Sequence, residues 1–126
     1  MGSVVVVEAN GLLASSVAGT AYTAPTTPIK LALVTVIGTN AAAGTEVTGG
    51  SYARQTIAWG SASAGSIANS GVITFSAMPA VTVVGIDIWD SAGTPIRRWW
   101  GTITNKTLGS GDTLSFAIGS ITIGIT

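Results

Sequence analysis

Val81-Thr-Val-Val-Gly-Ile-Asp-Ile-Trp89, then Asp90-Ser-Ala-Gly93, then Ile96-Arg-Arg-Trp-Trp-Gly-Thr-Ile-Thr104 is the stretch that decides the fold. The first run is β-branched and alternates. Val81, Val83, Gly85, Asp87 and Trp89 share one side; Thr82, Val84, Ile86 and Ile88 share the other. Asp90 and Gly93 stand where a tight turn wants them. The third run returns as the partner strand. An antiparallel hairpin is the unit from which the remaining chain is read.

Upstream, Ile29 to Ile37 reads as a long strand that is apolar on both sides and therefore central. Ile29, Leu31, Leu33, Thr35 and Ile37 occupy one face; Lys30, Ala32, Val34 and Val36 occupy the other. Tyr52 to Trp59 alternates as a further strand. Val72 to Phe75 is a short one, stopped by Met78-Pro79. Downstream, Asn105 to Gly111 reads as a turn. Thr113 to Ile118 and Ile121 to Ile125 read as a final hairpin about Gly119-Ser120. The segments 20–28, 38–50 and 60–71 are loops, and 38–50, made of small residues, is the most mobile expected.

Val4 to Val7 reads as a first strand, with residues 1–8 forming an N-terminal arm or edge strand. Residues 9–18 form the single short helix. Asn10 is its expected N-cap, Leu12, Leu13 and Val17 its apolar face, and Gly19 its stop. The expectation is an all-β fold: one antiparallel β-sandwich over 1–126 with seven to eight strands and a short N-terminal helix. A jelly roll is one topology compatible with this count. No repeat of fixed period points to a solenoid or propeller.

Composition narrows the function. The chain has 126 residues, of which 47% are hydrophobic and only 8% charged; an ordinary domain has about 25% charged. Five basic residues balance five acidic ones. Zero net charge without a basic run argues against nucleic-acid binding. The absence of His and Cys removes a His/Cys zinc site, a thiolate nucleophile, a Ser-His-Asp triad and any disulfide. Leu31 to Ile37 is the longest nearly unbroken apolar run, far below the roughly 20 residues of a spanning helix. No membrane segment, secretory signal, metal or cofactor is expected. With so few charges to keep it dispersed, the chain is expected to bury much of its surface against other chains, including copies of itself, with a trimer one arrangement.

Glu8, Glu46, Asp87, Asp90 and Asp112 are the only acids. Asp90 and Asp112 are explained by turns, and no supporting group turns any pair into a glycosidase site. The acids also lack the density of a calcium loop. The expectation is a protein that is not an enzyme.

Arg97-Arg98-Trp99-Trp100 is the candidate contact patch, because Trp and Arg anchor protein interfaces. Alternation assigns Arg97 and Trp99 to one face, Arg98 and Trp100 to the other. The competing reading puts one tryptophan in the core and pairs an arginine with Asp87. Arg54 is expected to pair with one of the acids, fixing strand register or bridging subunits. Val4, Val5, Val6 and Val7 could add to a neighbour's sheet edge.

Several segments in order resemble a family of small tailed-phage virion proteins. They are Ala9-Asn-Gly-Leu-Leu13, Gly19-Thr-Ala-Tyr-Thr-Ala-Pro25, Lys30-Leu-Ala-Leu33, and Gly44-Thr-Glu-Val47 running to Gly50-Ser-Tyr-Ala-Arg-Gln55. They continue with Ile73-Thr-Phe75, Val84-Gly-Ile-Asp-Ile-Trp-Asp90 and Gly111-Asp-Thr-Leu-Ser-Phe116. The resemblance implies a β-sandwich building block of the virion, made in the host cytoplasm, with no catalytic residues to carry over. It is compatible with a decoration protein that binds the major capsid protein and neighbouring copies of itself. It is compatible too with a tail-fibre or minor tail protein that contacts tail proteins and the host. A third reading, from the residues alone, is a carbohydrate-binding module that uses exposed tryptophans.

Overall fold

The computed structural model describes residues 2–125. Along the chain the elements are β1 (Gly2–Val4), α1 (Val6–Ala18), β2 (Lys30–Val36), β3 (Thr45–Glu46), β4 (Gln55–Thr56), β5 (Ser66–Ala68), β6 (Ile73–Phe75), β7 (Val81–Trp89), β8 (Arg97–Leu108), β9 (Leu114–Phe116) and β10 (Thr122–Gly124).

β7 and β8 form the expected antiparallel hairpin, and β2 pairs with the other edge of β7. The main sheet has eight strands in the order β3-β2-β7-β8-β1-β10-β5, with β4 also paired to β2; β6 and β9 form a second, two-stranded sheet. The sheet curls until its ends meet. Gly60 N–H donates to Ala68 O and Ser70 N–H to Ala58 O, each at 2.9 Å, so the chain leaving β4 pairs with the chain at β5. The result is an all-β sandwich with one short N-terminal helix.

The core explains the strand choices. Leu31 and Leu33 of β2, Val83, Ile86 and Ile88 of β7, Ile73 and Phe75 of β6, and Leu114 and Phe116 of β9 meet in one buried cluster. Phe75 is its aromatic centre, stacked on Tyr52 at 5.9 Å and edge-on to Phe116 at 6.2 Å. Ala32 and Val34, on the opposite face of β2, are buried as well. The segment after β2 folds back there. Gly44 N–H donates to Asp87 Oδ2 at 3.2 Å, and the Thr39 carbonyl accepts from Arg97. Part of the 38–50 loop, expected to be the most mobile, is therefore tied down, and it contains β3.

Several boundaries differ from the sequence reading, each for a tertiary reason. The valine run does not form an arm. Gly2–Val4 lies between β8 and β10, pairing antiparallel with the first and parallel with the second. Val5 is buried and ends the strand, and the helix begins at Val6, whose N–H donates to Asn40 O at 3.0 Å. A carbonyl from another loop thus satisfies an orphan donor of the first turn and overrides the β preference of valine. The helix stops as expected at Gly19, which adopts φ +70°.

Only Gln55–Thr56 of the 52–59 segment is a strand, and the 60–71 loop contains β5. β8 runs through the expected 105–111 turn as far as Leu108, opposite Val81. The two last strands do not pair with each other: β9 pairs β6, while β10 pairs β1 and β5.

Candidate functional site

The Arg97-Arg98-Trp99-Trp100 run sits on β8 at an irregularity. Ile88 lies opposite Trp99, but Trp89 lies opposite Arg97, so Arg98 is an extra residue on this strand. Such a bulge breaks simple alternation. Arg97 therefore works on the side of Trp100, not Trp99. Arg97 Nη1 donates to Asp87 Oδ1 at 3.2 Å and its Nη2 to Thr39 O, while Trp100 Nε1 donates to Asn40 Oδ1 at 2.9 Å. Both reach the same loop. Arg97 and Asp87 are both nearly inaccessible, with side chains 5% and 3% exposed. The pairing of an arginine with Asp87 is the competing reading set out above, and it is what the fold contains.

Arg98 and Trp99 lie together on the other side. Arg98 Nη1 donates to Glu8 Oε2 at 2.8 Å, and Nη2 and Nε donate to Asp90 Oδ2 at 2.9 and 3.2 Å. Tyr22 O–H donates to the second oxygen of Glu8. Glu8 stands in the first turn of α1, where the helix dipole favours a carboxylate, and is the only buried residue of that helix. Burial opposes ionisation of Asp90, but the N–H groups of Ile96 and Ala92 and the Arg98 guanidinium outweigh it and hold the carboxyl below the usual range. Burial and the Glu8 bond push the Tyr22 phenol up to about 12. Arg97 and Arg98 thus turn their charges inward, Arg97 tying the loop after β2 to the sheet and Arg98 tying the helix to it.

Arg54 also finds an acid. Its Nη2 and Nε donate to the two oxygens of Glu46 at 2.8 and 3.0 Å, a fork geometry. Tyr52 O–H donates to Glu46 Oε2 at 2.7 Å and accepts from Leu33 N–H at 3.0 Å. The guanidinium lies 4.3 Å from the centre of the Trp89 ring. Burial alone would raise the Glu46 pKa, yet these hydrogen bonds bring it below the ordinary value. The Glu46 to Gln55 stretch, quoted above for the family resemblance, is therefore a structural clasp. Gly50 in its turn has φ +55°, and a Cβ there would lie 2.8 Å from Ala77 O.

Little charge remains for the surface. Among the described residues, Lys30 and Lys106 make no ion pair, and Asp112 receives the Gly109 N–H at 2.7 Å. What the surface offers instead is apolar. On α1, Val6, Val7, Leu13 and Val17 are 48%, 51%, 60% and 82% exposed. The expected apolar face of the helix points outward; Leu12 is half-buried, and Glu8 holds the inside. Of the valine run, Val4 and Val5 are committed within the chain's own sheet, whereas Val6 and Val7 are free. Addition of this segment to a neighbour's edge has no open strand to use.

Between α1, the 20–28 segment and the sheet lies a hollow of about 230 Å³. Tyr22, Trp59, Trp99 and Ile123 form much of its wall, with Glu8 and Arg98 also lining it. The sequence suggests only core or edge packing for Trp59, a position the core contacts support, and the meeting of Glu8 with Tyr22 and Arg98 was not foreseen. A lone acid after four valines carries no signal, because its partner is ninety residues away. Sequence reasoning missed Asn69 too. That side chain is buried, donates to Gly71 O and Ala117 O at 2.8 and 3.0 Å, and accepts from Ile121 N–H at 2.9 Å. It locks β5 to the start of β10.

No curated protein matches the chain. A family model described as podophage GP4 fiber I protein gp80 matches residues 4–124, nearly the whole sequence. The β-sandwich, the inward-turned charges and this match agree: the chain belongs to that phage fibre family and is a structural protein of the virion.

Proposed function

We propose that the chain is a non-enzymatic subunit of the tail fibre, assembling with copies of itself and with neighbouring tail proteins through the outer face of α1. One observation carries this reading: Leu13 and Val17 lie in solvent on a helix whose buried side holds a carboxylate. Val6, Asn10, Leu13 and Val17 follow one another at steps of four, three and four, the spacing of a coiled-coil seam. An Asn within such a seam pairs with its own copy and fixes register. A free helix of this length would be marginal in water. Here the Glu8–Arg98 pair already anchors it, so association need not fund its folding.

The fibre family supports the tail reading over decoration of the capsid shell. The two are separated by labelling virions with an antibody against the chain: label on tails supports the proposal, and label over heads overturns it. Sedimentation of the purified chain tests the surface. Wild type should associate with rising concentration, and Leu13→Glu with Val17→Glu should stay monomeric with an unchanged circular dichroism spectrum. Equal sedimentation of the two proteins would remove α1 from the assembly.

A further inference from the structure

We infer that the hollow beside α1 is a binding site for a bulky organic cation of the quaternary ammonium class. Three aromatic side chains, Tyr22, Trp59 and Trp99, stand in its wall, and Ile29, Ile67, Ile88 and Ile123 complete an apolar lining. Aromatic walls attract a cation through their ring faces, most strongly when water is excluded.

The charge beneath that wall has a sign. Glu8 and Arg98 line the hollow as a pair, and Asp90, on the far side of Arg98, adds a second carboxylate, so the cluster as a whole has one excess negative charge. All three side chains are largely hidden, at 5%, 14% and 0% exposure. An unbalanced charge so placed is poorly screened and favours a cation nearby.

The chemistry of the wall selects the kind of cation. Tyr22, Glu8 and Arg98 are already hydrogen-bonded to one another, and Arg98 also to Asp90. A polyol or an N–H ammonium would have to compete with these bonds for the same oxygens. A small hydrated ion would lose its water and find no set of oxygen ligands, and the described residues hold no cluster suited to a metal. A quaternary ammonium carries its charge inside a shell of methyl groups and needs no hydrogen bond. At about 30 Å³ per water-sized group, 230 Å³ admits a centre with four methyl arms. The site is independent of the fibre proposal, because it rests on the wall and the charge beneath it.

Titration of the full chain with choline and with 3,3-dimethylbutan-1-ol, its uncharged carbon isostere, tests the assignment by tryptophan fluorescence and ligand NMR. Choline should saturate and bind about tenfold more tightly than the isostere. Trp99→Leu should reduce that preference severalfold, and Glu8→Gln, which keeps the hydrogen-bonding shape and removes the charge, should reduce it as well. Equal binding of the two ligands would make the hollow merely apolar and overturn the inference. So would the absence of saturable binding, or tight binding of a methyl glycoside in place of choline. If Glu8→Gln fails to fold, Trp99→Leu and the isostere comparison still decide the matter.

Discussion

Strand β2 hides Leu31, Ala32, Leu33 and Val34 almost completely, whereas helix α1, also rich in aliphatic residues, hides only Glu8 and leaves Val6, Val7, Leu13 and Val17 in water. The two elements solve opposite problems. β2 is covered on one face by the common core and on the other by the returning 38–44 segment. Its apolar residues stabilise this chain alone. α1 is held to the sheet by an ion pair, and the apolar residues of its outer face, Val6, Val7, Leu13 and Val17, add little to the isolated fold. If the proposed assembly holds, hydrophobicity in the sequence has two addresses, the core and a neighbouring molecule. Substitutions in the two regions should separate folding from assembly.

The largest loss of stability should come from the charge beneath the β2 covering. Asp87→Ala leaves the Arg97 guanidinium buried without its carboxylate and releases Gly44 N–H. A cost of about 3–5 kcal/mol is expected, read as a lower urea midpoint. The double variant Asp87→Ala with Arg97→Met should recover part of it, because the uncompensated charge is gone. If the double variant is no better than the single one, the pair matters for shape and not for charge. Next in size is Leu33→Ala in β2. Its side chain is fully enclosed, and the expected cost is about 3 kcal/mol with association per folded molecule unchanged.

Two further effects are set by pH. Glu46 and Asp90 have lowered pKa values in the fold, so the unfolded chain binds more protons in acid. Their stabilisation is fully present above the unfolded carboxylate range, about pH 4, and is lost as pH falls through the lower folded values. Tyr22 runs the other way. Its pKa rises from 10.0 to about 12, so its contribution is intact below about pH 10 and fades as pH rises toward about 12. Thermal melts across pH should show both arms; burial and the Glu46 bond raise the Tyr52 pKa as well, so Tyr22→Phe should make the alkaline arm shallower without abolishing it and leave the acid arm unchanged. Arg54→Ala should cost about 1–2 kcal/mol, less than the buried pair because Arg54 and Glu46 are each more than a quarter exposed. It should also weaken the acid arm, since Glu46 loses its fork.

Much of the sheet was legible because its strands carry their own pattern. β7 and the 90–93 turn follow from alternation and turn chemistry, and both apolar faces of β2 announced a central strand. The ion pair of Arg54 with an acid was legible from scarcity alone: with five acids in the chain, few partners exist. What stayed hidden depends on contacts distant in sequence. The valine run has a strand's composition, and only the Asn40 carbonyl and the Glu8–Arg98 pair make its second half helical. Ser66–Ala68 has no strand signature and is a strand because β10 lies beside it. The grouping of Arg97 with Trp100 was unreadable, because one extra residue in β8 moves a side chain across the sheet and no local residue announces the bulge.

The smallest effect on the fold should accompany the largest on assembly. Val17 is 82% exposed, with Asn10 and Leu13 on the same stripe and Glu8 on the far side of the helix. Val17→Lys removes no buried contact and introduces a solvated charge near the helix C-terminus, where a cation is favoured. Its thermal midpoint should move by the equivalent of about 0.5 kcal/mol or less. In a seam of parallel copies, however, each lysine would face another lysine, and the like charges would have to be desolvated together. Sedimentation equilibrium should then show a weaker association constant with no change in the melting curve. A variant that melts like wild type and also associates like wild type would show that Val17 serves neither the fold nor the assembly, and would remove it from the proposed seam.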